Sequence, residues 1–367
     1  MASHVTTRLA VLAGAAFTLA AGVASASPIA YVQTNLSSDI SGLAANTDPA
    51  MKNPWGMSYS STSPFWVSDQ VTGLATLYSA AGVKQGLVVT IPGGGGPNGP
   101  TGQAFVGGMG FTIPGGSGTA TFAFATLGGA IDAWNGGTNA VIVATTPGAV
   151  YTGLAVAGSQ LYAADAAGNK IDVFDNNFSP ASTIGKFIDP TIPAGFTPYN
   201  IQNIGGKLYV EYAKNGSPGG FISIFDTAGN LLQHVSDPHF DEPWGITLAP
   251  AGFGDFGNDL LVGDLGDGLI NAFDPATFAY LGTLSDGLGN PIANPGLWAL
   301  GFRTGPTFDN DALFFTAGIN GERDGLFGEI TVAGATPTTV PEPATVSLLA
   351  LGAAALARRR AGRTRRT

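Results

Sequence analysis

The chain has 367 residues, with 55 glycines, 24 prolines and only 11% charged residues. It has no cysteine, which excludes disulfides and thiolate metal sites, and its three histidines, His4, His234 and His239, are too few for a histidine-rich metal centre. Between Ser27 and Val340 there are 8 basic and 24 acidic side chains, which argues against a nucleic-acid partner because little is there to neutralise phosphate.

Taken in chain order, the first 26 residues read as a leader. His4 and Arg8 precede an apolar run over 9–23, and Ala24-Ser25-Ala26 supplies small residues for cleavage after Ala26. An uncleaved anchor is the other reading of this run. A body over 27–332 follows, opening with one strand at 30–36 and continuing as a repeat.

The first strand of each unit is carried by an aligned anchor at positions 56, 108, 153, 200, 245 and 299, with spacings of 52, 45, 47, 45 and 54 residues. Such spacing matches the roughly 40–50 residues of a four-stranded propeller blade. Second strands are expected at 65–69, 121–126, 161–165, 208–212, 260–264 and 313–317. Third strands are expected at 74–78, 130–134, 170–174, 221–225, 269–273 and 326–330. These segments alternate or run apolar over four to six residues between Gly, Asn and Asp, as strands do. Fourth strands follow in five units, and the sixth lacks one. The spare N-terminal strand at 30–36 fills that place, because an open ring leaves sheet edges exposed. The expected fold is all-β: a six-bladed β-propeller of four-stranded blades, closed by the N-terminal strand.

After the body come a linker over 333–339 and a tail over 340–367. The tail reads Val340-Pro341-Glu342-Pro343, an apolar run over 344–357, and six arginines in the last ten residues. The run is short for a spanning helix, which takes roughly 17–25 residues, and the arginines favour the cytoplasmic face.

This order of parts closely resembles the PEP-CTERM sorting signal. The resemblance implies an exosortase-type processing enzyme as partner, in a Gram-negative bacterium that makes exopolysaccharide. It also implies an exported protein, anchored transiently in the inner membrane through its C-terminal segment and then placed at the cell surface or in the extracellular matrix. A plain C-terminal anchor is the alternative. The third unit, from Gly153 to Asp175, resembles an NHL-type propeller repeat. The chain as a whole is similar to a family of PEP-CTERM-bearing propeller proteins, a likeness that brings no known activity with it.

One propeller face is expected to gather Trp55, Tyr151, Tyr199, Trp244 and Trp298 at the starts of innermost strands, with Asp69, Asp165 and Asp264 at the ends of second strands. Aromatic faces cover sugar C–H groups and carboxylates accept from hydroxyls, so Trp55, Asp69, Asp165, Tyr199, Trp244, Asp264 and Trp298 form a candidate ligand site. The same residues have a plainer reading. Each aspartate opens a turn and can bind backbone amides, and the tryptophans can wedge blades together. Propeller lactonases of the gluconolactonase type hold a channel metal with acidic and amide groups. Asn200, Glu211 and Asp264, with Asn53 and Asn203 nearby in the pattern, are the corresponding candidates for calcium or magnesium. No Gly-x-Ser-x-Gly elbow is present, and the glycine runs at 93–96 and 115–116 are not phosphate loops. Two functions stay open: a non-catalytic binding or scaffold protein contacting exopolysaccharide, and a metal-dependent lactonase- or lyase-like enzyme.

Overall fold

The short apolar strands are buried on both faces, which only a structure that sandwiches each sheet between two neighbours can satisfy. In blade one, alternate residues of Phe65–Asp69 serve opposite neighbours. Phe65 and Val67 pack toward blade six against Phe314 and Phe327, and Trp66 packs toward blade two against Phe122 and Phe124. The core is thus divided into six apolar layers, one between each pair of blades. The computed structural model describes residues 30–116, 118–303 and 311–334, and it shows a six-bladed propeller built from antiparallel four-stranded sheets.

The innermost strands are Pro54–Ser58, Pro100–Phe105, Tyr151–Ala157, Thr197–Ile204, Pro243–Leu248 and Leu297–Phe302. They adjoin in a closed circle and all run the same way along a central channel. Their starts therefore share an upper mouth and their ends a lower one. The sixth blade takes its outer strand from the N-terminus. Tyr31–Ser38 pairs antiparallel with Leu326–Val332, from Tyr31 opposite Val332 to Ser38 opposite Leu326. The closure is pinned from three sides. The Tyr31 hydroxyl donates to the Phe253 carbonyl at 3.1 Å, Ser37 Oγ to Gly82 O at 2.5 Å, and Ser38 Oγ to Gly325 O at 2.7 Å.

One strand lies elsewhere than its sequence pattern suggests. The second blade begins at Pro100–Phe105, not at the Gly-Met-Gly-Phe segment around position 108. Gly108 and Gly110 both have positive φ, 78° and 82°, which an extended strand does not use. The true anchor is Gly102, where an added Cβ would lie 2.3 Å from Leu154 N on the next blade. Gly56 has the same relation to Thr101 O, at 2.4 Å. The recurring glycine marks a close approach of backbones around the channel, and that steric demand, more than a strand motif, is what repeats.

Candidate functional site

Four of the five large aromatics expected at one face meet at the upper mouth and close it. Trp55 and Trp298 stack with centroids 3.8 Å apart, and Trp244 meets both edge-on at 6.3 and 5.6 Å. Tyr199 joins the same buried cluster. Polar ties fix two of the indoles. Trp298 Nε1 donates to Asn53 Oδ1 at 2.9 Å, and Trp244 Nε1 donates to Thr152 O at 3.2 Å. Trp55 Nε1 is buried and has no partner among the described residues. Beneath this lid the channel holds about 30 Å³, lined by Gly56, Gln103, Leu154, Asn200, Gly245 and Leu300 among others. That is room for a water molecule or two.

The remaining expected residues are individually engaged. Asp165 Oδ1 accepts from Val150 N at 3.0 Å and Gly168 N at 2.9 Å, holding its turn to the preceding connection. Asp264 plays the same part in blade five: Oδ1 accepts from Asp241 N at 3.0 Å and Oδ2 from Asn271 Nδ2 at 2.9 Å. Asp69 Oδ2 accepts from Thr76 Oγ1 at 2.6 Å, while its Oδ1 has no partner among the described residues. Burial pushes the Asp69 and Asp264 carboxyls well above the usual range. Tyr151, expected beside the tryptophans, packs instead into the layer between blades two and three.

The candidate metal residues fall in two blades. Asn200 and Glu211 are direct register partners in blade four, and Asp264 belongs to blade five. Asn200 Nδ2 donates to Trp244 O at 2.6 Å and so ties one blade to the next. The same kind of tie recurs around the ring, from Thr101 Oγ1 to Tyr151 O at 2.6 Å and from Thr316 Oγ1 to Trp55 O at 2.7 Å. Neither oxygen of Glu211 meets a donor from another residue among the described ones, and burial raises its carboxyl well above the usual range. Asn53 bonds Gln70 and Glu322 through Nδ2, and Asn203 Nδ2 donates to Val156 O at 2.8 Å. Among the described residues, no three His, Asp or Glu side chains gather as metal ligands.

Most of the residues at the two mouths, apart from Asn53 and Asn203, escaped the sequence reading. At the upper mouth, Glu242 and Glu322 stand near the Tyr199 hydroxyl, whose titration is raised by burial and then by these two charges. Both glutamates, and Asn53 and Asn320 beside them, have positive φ between 47° and 64°, a conformation costly for residues with a side chain. Neither glutamate forms a salt bridge with a described residue. At the lower mouth a cavity of about 340 Å³ is lined by Ser58, Gln103, Gln202, Asn203 and Thr247 with Leu154, Val156, Leu300 and phenylalanines. Ser58, Gln202 and Thr247 each sit two positions after the aligned anchor, so strand alternation alone placed them on the channel side.

The comparisons with known proteins separate the body from the tail. Residues 339–361 match the PEP-CTERM protein-sorting motif, which implies an exported protein held transiently in a membrane and handled by an exosortase. The apolar run of that tail lies outside the described residues. Among the described ones, no helix is long and apolar enough to cross a membrane. In solved structures the chain is similar to a virginiamycin B lyase from Staphylococcus aureus, with 14% identity, 82% of this chain and 99% of that one covered, and a TM-score of 0.51. It is also similar to a protein of unknown function from Bacteroides thetaiotaomicron, with 11% identity, coverage of 82% and 76%, and a TM-score of 0.54. At these identities the likeness is one of fold. Two proteins of Acanthamoeba polyphaga mimivirus, uncharacterized proteins R648 and L690, are each 33% identical to the chain over 313 and 315 residues, covering 78% of it and 76% and 82% of themselves. This chain, a six-bladed propeller with a PEP-CTERM sorting motif, belongs to the family of those two proteins.

Proposed function

We propose that the protein is a non-catalytic binding propeller of the cell surface or extracellular matrix, with exopolysaccharide as its partner. In this reading residues 1–26 are removed as a signal peptide, 27–332 form the working body, 333–339 are a linker, and 340–367 deliver the chain before exosortase processing.

The observation that carries the proposal is the use to which the polar groups around the channel are put. Asn200, Thr101 and Thr316 lace innermost strands together, and Asp165 and Asp264 hold turns. A reaction chamber needs carboxylates or imidazoles free to converge on a substrate atom. Here the upper end is filled by tryptophans and the space below them is about 30 Å³. A rigid ring that spends its polar groups on its own closure suits presentation and binding better than turnover.

The metal-dependent alternative keeps one specific support, the buried and unpartnered carboxyl of Glu211 opposite Asn200. One experiment separates the two. Calcium and magnesium are titrated into the purified protein while its thermal midpoint and lactone hydrolysis are followed. The same protein is tested for retention on immobilised exopolysaccharide. A binding propeller is retained by the polymer and shows no metal-dependent turnover. A midpoint that climbs with metal concentration, as expected for a ligand of the native state, together with metal-dependent hydrolysis, overturns the proposal.

A further inference from the structure

We infer that the lower mouth of the channel is a binding site for an uncharged, hydroxyl-rich ligand, of which a glycosyl unit is the fitting chemical class. The inference rests on the reading of the protein as a binding module and gives that module its site, at the opposite end from the tryptophan lid.

Three observations lead there. First, the cavity is concave and of ligand size, about 340 Å³, at the lower end of the roughly 300–1,000 Å³ that small-molecule sites span. Toward the tryptophans the channel narrows to about 30 Å³.

Second, its lining contains no carboxylate, imidazole, ammonium or guanidinium group. The body around it is acidic, with 24 acidic against 8 basic side chains between Ser27 and Val340. An anionic ligand would find no counter-charge there, and a charged group of either sign would lose hydration without a partner to replace it. What the lining offers is amides and hydroxyls, interleaved with Leu154 and Leu300. That combination matches a pyranose ring, with its hydroxyl edge and its C–H faces.

Third, two polar atoms of this lining are buried and unpartnered among the described residues, Gln103 Oε1 and Ser58 Oγ. The orientation of Gln103 is fixed by its surroundings. Its Nε2 donates to Gly56 O at 2.7 Å and to Trp66 O at 2.8 Å, so the other end of the amide must be the acceptor. Gln103 is 6% exposed. A buried acceptor held in place without a donor leaves a hydrogen bond for a water or a ligand hydroxyl to supply. Gln202 is half-buried on the same wall, and its side chain makes no hydrogen bond with another described residue. A larger groove, about 840 Å³ between blades four and five, carries Asp237, Asp241 and Asp267 and is chemically unlike this mouth.

The test uses the full chain, solubilised and purified, on an array holding uncharged oligosaccharides in one arm and uronic-acid and sulfated oligosaccharides in the other. The wild type is expected to bind members of the uncharged arm. The double variant Ser58→Ala with Gln202→Ala is expected to lose at least tenfold in affinity with an unchanged thermal midpoint, and Glu322→Gln at the opposite mouth is expected to bind as wild type does. Binding to uncharged glycans that the double variant leaves intact overturns the assignment of this mouth while the binding-module reading stands. Binding confined to the charged arm overturns the ligand class. No glycan binding in either arm overturns this site, and metal-dependent turnover of a lactone beside it overturns the binding-module reading as well.

Discussion

The tryptophan lid offers the sharpest test of the reasoning, because its members are either packing elements or ligand platforms and the two roles differ in stability. Trp298 is 1% exposed, stacked on Trp55 at 3.8 Å and bonded through Nε1 to Asn53. Truncation to alanine removes the whole indole, which costs about 3–5 kcal/mol in a packed core. It also strips Asn53 Oδ1 of its donor, adding ~1 kcal/mol. At about 2–4 °C per kcal/mol for a domain of a few hundred residues, the thermal midpoint should fall by roughly 10–20 °C. Trp298→Phe keeps most of the ring contact and loses mainly the hydrogen bond, so its midpoint should fall by only a few degrees. Thermal unfolding followed by circular dichroism measures both. The stacked pair adds a second signature: coupling between the indoles of residues 55 and 298 should vanish from the ultraviolet spectrum in each variant. A midpoint for Trp298→Ala within about 2 °C of wild type would refute the lid as a packing element and return these rings to the list of ligand contacts.

Acidity offers a second test. Burial pushes the Asp132 carboxyl up to about 8, and raises Asp69, Glu211 and Asp264 as well. A carboxyl raised in the folded state stabilises it while protonated and loses that contribution as pH rises from ~4 toward the folded value. At Asp189, where burial is outweighed by hydrogen bonds from Ser223, Thr191 and His234, the carboxyl is held at about 2. Its contribution is present above ~4 and lost as pH falls toward 2. The thermal midpoint should therefore peak near pH ~4 and be lower at pH ~9, and Asp132→Asn should flatten the alkaline limb in a pH series of melting curves. Gly102→Ala should destabilise by about 1–3 kcal/mol or more, since its new Cβ meets Leu154 N at 2.3 Å. Gly86→Ala, with nothing within 4 Å, should be neutral, and urea titration of the two variants measures the difference. Deleting residues 30–38 should leave Leu326–Val332 as an open edge, and size-exclusion chromatography should then show aggregate in place of a monomer.

The count of six blades was readable because a propeller repeats a physical demand. Every blade must bury both faces of its sheet, so mainly apolar runs such as Phe65–Asp69 and Leu313–Ala317 recur, buried along their whole length. The closing strand was readable for a related reason, since a sixth unit without an outer strand and a spare N-terminal strand complete each other. The second blade was misplaced where a local pattern imitated the repeat. Gly108 and Phe111 match the anchor motif in letters, but Phe111 is buried through a turn that packs it on Phe178, and the backbone approach that defines the anchor belongs to Gly102.

The site was less legible because the residues with the most suggestive chemistry were those the fold needed most. An aspartate that opens a turn and one that receives a sugar hydroxyl look alike in a sequence. What separates them is whether the carboxylate oxygens are already occupied, as both are at Asp264 and as Oδ1 is twice over at Asp165. A tryptophan beside a glycine anchor likewise reads as a sugar platform until its neighbours prove to be two further indoles within 6.3 Å. The converse holds at the lower mouth. Gln103, Gln202 and Ser58 are unremarkable letters inside strands, yet Gln103 and Ser58 keep polar atoms that the protein leaves unpaired. In a ring laced together by its own side chains, a ligand is sought where polar groups line open space and the lacing leaves some of them unused. The neutral end of the channel is such a place, and the variants Ser58→Ala and Gln202→Ala bear on it without disturbing the groups that hold the blades.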